Sequence, residues 1–178
     1  QYTSDVADFT WDTANSKISF TQPSTSSKYL VLDKILKFGN KFHCVVSNTG
    51  RGKNGKNMYV RFLKIDDSNY YEVRVGSDNY VRLSKMLDGV KKDMIPSPVA
   101  YQDGELLSIT VDFDALKFTV NSNTQDITDY VAGELPNEGQ FVLVAGSIGI
   151  PETFDLYEYS YPPSISYTDD FATDTVTF

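Results

Sequence analysis

The chain has one cysteine, one histidine and one tryptophan in 178 residues, and each scarcity closes off a class of protein. Cys44 has no partner for an internal disulfide, so a disulfide-stapled mini-domain is excluded. With His43 and Cys44 as the whole supply of imidazole and thiolate, no Cys/His zinc cluster can be assembled. No apolar run approaches the roughly 18 to 20 residues of a membrane-spanning helix, so membrane insertion is not expected. Gln1 to Phe9 lacks the basic start and apolar centre of a secretory signal, which reads as a soluble chain whose export signal was removed or never present. Basic residues are also outnumbered, 16 Lys and Arg against 24 Asp and Glu, for a net charge of -8. That balance disfavours nucleic acid as a partner, because binding a polyphosphate depends on cationic side chains releasing its counterions.

What is present is unevenly distributed. Of the 16 basic residues 14 fall between Lys28 and Lys92, together with only 6 of the 24 acidic ones, a local balance of +8 inside an acidic chain. A carboxylate- or phosphate-bearing partner could find a basic region there. A hydrophobic fraction of 40% and an aromatic fraction of 13% suffice for a core, and the apolar residues alternate between closely spaced turn clusters. That pattern predicts strands rather than helices. Strands are expected at Lys17 to Thr21, Lys28 to Ile35, Lys41 to Ser47, Met58 to Ile65, Asn69 to Val75, Asn79 to Lys85, Glu105 to Asp112, Leu116 to Asn121, Gln140 to Gly146 and Thr153 to Tyr161. Ile127 to Ala132 reads as either a short helix or a further strand. Short intervals such as Asp66-Asp67-Ser68, Gly76-Ser77-Asp78 and Phe113-Asp114-Ala115 suit hairpins, so neighbours should run antiparallel. Ten such strands exceed one comfortable sheet, and the expected fold is all-β, a two-sheet antiparallel β-sandwich of the jelly-roll type over residues 1 to 161.

Residues 162 to 168, which include Pro162-Pro163-Ser164, read as a semi-rigid linker. Beyond it Asp170-Phe171-Ala172-Thr173-Asp174-Thr175 and Val176-Thr177-Phe178 repeat Asp8-Phe9-Thr10-Trp11-Asp12-Thr13 and Ile18-Ser19-Phe20. Residues 169 to 178 are therefore expected to be the first strand of a second copy in a tandem array, and such a strand can add to an exposed sheet edge.

Asn69-Tyr70-Tyr71-Glu72-Val73-Arg74-Val75, Asn79 to Lys85 running into Asp88-Gly89-Val90, the pair Leu106 to Asp112 and Leu116 to Val120, and Phe154-Asp155 before Leu156-Tyr157 follow one another in an order that resembles the concanavalin A-like superfamily of lectin, laminin-G-like and carbohydrate-binding-module jelly rolls. The resemblance spans about two-thirds of the chain and departs at Glu105-Leu106, where a tryptophan commonly opens the strand. It implies glycan binding, often by an appended module with a structural calcium ion, in a fold that also hosts purely adhesive domains.

Alternation along the central strands sorts their side chains onto two faces. Tyr71, Val73, Val75, Val81 and Leu83 are expected in the core. Tyr70, Glu72, Arg74, Tyr80, Arg82 and Ser84 share the other face, joined by Tyr59 and Arg61, so that three tyrosines interleave with three arginines. Aromatic rings stack on the C–H faces of sugars, and a guanidinium grips a carboxylate or sulfate through two parallel hydrogen bonds. The same residues also suit an ordinary solvated β-surface. Asn48 to Asn57 satisfies G-x-x-x-x-G-K, but Asn57 replaces the magnesium-binding Ser or Thr and a strand follows instead of a helix, which rejects a phosphate-binding loop. Its Arg51, Lys53 and Lys56 remain candidates for the rim of a binding face.

Catalysis is not expected. His43 and Cys44 point to opposite sides of their strand and cannot form a nucleophile and base. The strand motif E-x-D-x-x-E of the fold's glycosidases is absent, and Glu152, Asp155 and Glu158 are spaced wrongly for paired carboxylates. Asp8, Asp12 and Asp155 are candidates for a structural calcium ion, since the repeat keeps Asp8 and Asp12 as Asp170 and Asp174 while Trp11 becomes Thr173. The expected function is a non-catalytic carbohydrate-binding module of a tandem-repeat extracellular or cell-surface protein, favouring acidic glycans, with a polysaccharide and further copies of itself as partners. The alternative is a structural or adhesive stalk repeat without a glycan site.

Overall fold

The computed structural model describes residues 9–12, 14, 17–20, 27–37, 41–49, 57–135, 138–146 and 153–160. Within them lie β1 (Thr10–Asp12), β2 (Lys17–Phe20), β3 (Lys28–Lys37), β4 (Lys41–Thr49), β5 (Met58–Asp66), β6 (Asn69–Val75), β7 (Tyr80–Leu87), β8 (Val90–Asp93), β9 (Val99–Ala100), β10 (Leu107–Asp112), β11 (Lys117–Val120), β12 (Asn123–Asp126), β13 (Glu138–Ala145) and β14 (Thr153–Ser160). The strands form two antiparallel sheets. The first runs β1-β2-β14-β4-β10-β11-β12, and the second runs β3-β13-β5-β6-β7-β8 with β9 beside β7. No helix among the described residues is long and apolar enough to cross a membrane.

The alternation read in the sequence is what packs the two sheets. Phe42, Cys44 and Val46 of β4 and Leu107, Ile109 and Val111 of β10 meet Met58, Val60 and Phe62 of β5 and Val73, Val75, Val81 and Leu83 of β6 and β7 in one buried cluster. Phe42 and Phe62 stack at 4.3 Å between ring centroids, a contact that joins the sheets. From Phe62 the aromatic line continues through Tyr71 and Phe113 to Tyr130, with Phe113 and Tyr130 stacked at 4.4 Å. Such offset ring pairs add to the burial of apolar area that drives the packing.

All ten expected strands are present, and β1, β8, β9 and β12 are additional. The segment from Ile127 to Ala132 is neither helix nor strand: Ile127 is buried, Thr128 donates its N–H to the Met94 carbonyl, and Tyr130 carries the stacking on Phe113. Lys85, on the core side of β7 opposite Tyr71, is 4% exposed and holds this segment through Glu134 at 2.6 Å and Asp129 at 3.6 Å.

One irregularity shapes the second sheet. Leu63 has φ +50°, and the pairing of β5 shifts there against both β6 and β13. The bulge keeps Phe62 and Leu63 both in the core and returns Lys64 to the outer face. Gly139 makes room for it: a Cβ there would stand 2.6 Å from the Leu63 carbonyl carbon, closer than real atoms approach.

Candidate functional site

The outer face of β5, β6, β7 and β8 carries the residues that the sequence singles out, in rows set by register. Tyr59, Arg74 and Arg82 lie directly opposite one another in one row. Arg61, Glu72, Ser84 and Asp93 make the next, and Tyr70, Met86 and Lys91 a third. Antiparallel partners project to the same side, so the register alone brings four cations and two aromatic rings together. Beyond Tyr59 and Arg61 the face turns apolar at Val144 and Val142 of β13, both buried.

The three arginines are in different states. Glu72, 1% exposed, accepts from Arg61 Nε at 2.8 Å and from Lys91 Nζ at 2.7 Å. The Arg61 guanidinium, pinned there, lies over the Tyr70 ring at 4.5 Å from its centroid. Tyr70 is only 5% exposed, which corrects the expectation that its ring stands open on this face. Parity gave the side of the sheet but not the burial of the ring.

Arg74 and Arg82 are served far less well. Both reach the same oxygen of Asp78, Arg74 Nη2 at 2.9 Å and Arg82 Nη1 at 2.7 Å. The Arg82 approach is an ion pair without a hydrogen bond, and Arg74 Nε is buried with no acceptor among the described residues. Burial would raise the Asp78 carboxyl, but the two guanidiniums outweigh it and hold it below its usual 3.8. Two like charges facing each other across neighbouring strands thus share one carboxylate. Tyr80, 39% exposed, stands at the mouth of this pair with the Arg82 guanidinium 5.5 Å from its ring centroid. Tyr59 flanks the other side, half-buried, its hydroxyl accepting from Asn57 Nδ2 at 3.0 Å. Asp78 was visible in the sequence only as a turn residue. The signal that marks it is its spacing, four residues from each arginine across the hairpin.

The other candidates separate. Arg51, Lys53, Lys56, Asp8 and Glu152 lie outside the described residues, as do residues 162–178. Asp155 is buried in the first sheet, accepting from Ser19 Oγ at 2.5 Å and Lys17 Nζ at 3.0 Å. Asp12 lies on the edge strand β1, opposite Lys17 in register. An ammonium group on the Asp155 carboxylate competes with any cation, and among the described residues no three His, Cys, Asp or Glu side chains converge as metal ligands. Asp8, the third carboxylate of the expected calcium set, lies outside the described residues, and a calcium ion needs six to eight oxygens in all. His43 Nδ1 and Thr110 Oγ1 are 3.1 Å apart on the outer face of the first sheet, whereas Cys44 is buried in the core.

No protein-family model and no curated protein matches the sequence. Solved structures match the fold. A carbohydrate-binding module, CBM66 from Bacillus subtilis, is 16% identical with a TM-score of 0.53 over 78% of this chain and 82% of its own. The β-glucanase of Bacillus licheniformis is 9% identical with a TM-score of 0.57 over 88% of this chain and 82% of its own. The GH43 protein BlXynB of Bacillus licheniformis is 10% identical with a TM-score of 0.60 over 88% of this chain, which spans 34% of that longer protein. The chain is thus an all-β, two-sheet antiparallel sandwich of the jelly-roll type.

Proposed function

We propose that this chain is a non-catalytic carbohydrate-binding module that takes an acidic glycan on the outer face of β5 to β8. The observation that carries the reading is the Arg74–Arg82 pair, which among the described residues has one carboxylate oxygen between two guanidiniums and a buried Nε without an acceptor. A uronate or sulfate offers the planar, multi-oxygen partner that such a pair lacks. Tyr80 and Tyr59 on either side supply ring surface for the C–H faces of the flanking sugars. The fold's resemblance to a carbohydrate-binding module agrees with this use. Hydrolysis is not part of the reading. Glu72, the one glutamate among the outward-facing residues of β5 to β8, is buried and doubly neutralised, whereas a glycosidase needs two carboxyl groups flanking an accessible bond.

A module of this kind serves an extracellular or cell-surface protein, and weak sites repeated along a chain gain strength by avidity. The test is retention on affinity gels cast with polygalacturonate or with neutral xylan. Retention by the acidic polymer alone is expected, lost in Arg82→Ala and in Arg74→Ala and reduced in Tyr80→Ala. A wild-type protein retained by neither gel, nor by a sulfated polysaccharide gel, would leave the spacer or adhesive repeat as the better reading.

A further inference from the structure

Asp78 folds back from its turn onto the two arginines. The hairpin from Gly76 to Asn79 closes with the Asn79 N–H on the Gly76 carbonyl and with Asn79 at φ +69°, which places the carboxylate over the Arg74–Arg82 row. We propose that Asp78 is a built-in competitor for the anion slot between Arg74 and Arg82, a specificity-determining residue that a ligand's acidic group must displace. The proposal rests on the acidic-glycan reading of this face and adds to it a threshold on the ligand's charge.

Three features separate this carboxylate from an ordinary structural ion pair. It satisfies the slot incompletely, since both guanidiniums meet the single oxygen Oδ2 and Arg74 Nε remains without an acceptor among the described residues. It is itself accessible, its side chain 39% exposed, so rotation toward water needs no unfolding. Its return path is kept open by Gly76, where a Cβ would run into the Asp78 carboxylate and stand 2.9 Å from Arg74 Nη2. The contrast is Glu72, which is buried and bonds its two cations through separate oxygens. A bound anion with two or three oxygens can engage both guanidiniums and Nε together, and its apparent affinity is lowered by the fraction of molecules in which Asp78 fills the slot. A neutral sugar has nothing with which to displace it.

The experiment is a titration with inorganic sulfate, followed by the arginine Nε–Hε resonances of the wild type, Asp78→Asn, Asp78→Ser and Asp93→Asn. Asp93 is an exposed carboxylate on the same face, so its variant makes the same change in net charge away from the slot. Removal of Asp78 is expected to tighten sulfate binding about fivefold, the scale of a partly exposed ion-pair competitor, with the shift centred on Arg74 and Arg82. Asp93→Asn should change it less than about twofold, as a screened field effect. Equal tightening in both asparagine variants, or unchanged or weaker binding in both Asp78 variants, would overturn the proposal. The sulfate result is independent of glycan retention, so a protein that binds sulfate as expected but no acidic polymer would refute the glycan reading and leave the competitor in place.

Discussion

Glu72→Gln tests how the outer face is held together. The carboxylate is 2% exposed and bonds Arg61, 12% exposed, and Lys91, 45% exposed. These two bonds contribute unequally. The Lys91 pair is solvent-screened and contributes about 0.5 kcal/mol. Breaking the buried Arg61 pair costs about 3 kcal/mol, because it strands a desolvated guanidinium. The glutamine oxygen can still accept one hydrogen bond from Arg61, which returns about 1 kcal/mol. The net loss is about 2.5 kcal/mol, or a melting temperature about 5 to 10 °C lower for a chain of this length. Urea unfolding with linear extrapolation measures it, and a double-mutant cycle with Arg61→Met should give a coupling energy of at least about 1.5 kcal/mol. Because Arg74, Arg82 and Asp78 lie outside this network, folded Glu72→Gln should keep its retention on an acidic gel to within about twofold. A stability change below about 0.5 kcal/mol, or an additive cycle, would refute the assignment of Glu72 as the anchor of Arg61 and of the cover on Tyr70.

Three other perturbations probe the packing and ion pairs elsewhere in the sandwich. Gly139→Ala places a Cβ against Leu63 and Lys64 backbone atoms at 2.6 to 2.9 Å, which only a backbone shift relieves; a loss of about 2 to 3 kcal/mol by urea unfolding is expected, and a loss below about 0.5 kcal/mol would show that the bulge is not held there. Lys85→Met removes the buried ammonium that holds Glu134 and Asp129, so residues 127–135 should become the first site of limited proteolysis; an unchanged cleavage pattern contradicts that role. Burial would raise the Asp112 carboxyl, but the Lys41 ammonium at 2.8 Å and the Ala115 N–H outweigh it and hold it below its usual 3.8. A lowered folded value stabilises above the unfolded one and loses that contribution as pH falls through the folded one, so stability should drop from about pH 4 downward and less steeply in Asp112→Asn; parallel profiles for the two proteins would contradict it.

The parts of this fold that were legible in the sequence are those with a local period. Val73, Val75, Val81 and Leu83 announced their face by alternation, and the Asp88-Gly89 turn was marked by residues that tolerate positive φ, +49° and +77° in the structure. The strand order was not legible, because β13 inserts between β3 and β5, and β14 between β2 and β4, through contacts between distant segments. Nor were β8 and β12: Val90-Lys91-Lys92-Asp93 is exposed throughout and Asn123-Thr124-Gln125-Asp126 nearly so, which leaves no alternation to detect at a polar sheet edge.

The site divides along the same line. Alternation could place Tyr59, Arg61, Tyr70, Arg74, Tyr80 and Arg82 on one face, but not say which of them would be consumed by the protein itself. That depends on register, which sets Arg61 opposite Glu72 and Arg74 opposite both Tyr59 and Arg82. Cross-strand position therefore sorts six chemically similar candidates into a sealed group, Arg61 with Glu72 and Tyr70, and an undersupplied one, Arg74 with Arg82. Had the register slipped by two residues, parity would be preserved and every residue would still face outward, yet Glu72 would meet different cations and Arg74 would no longer face Arg82. The specificity of this face is consequently a property of register, and the bulge at Leu63 with Gly139 packed against it interrupts that pairing on both neighbours of β5. Gly139→Ala should on this argument disturb more than stability. In molecules that still fold, the Arg74 and Arg82 Nε resonances should move even though the substituted Cβ is on another strand, and their remaining unchanged would show that the bulge and the arginine row are independent.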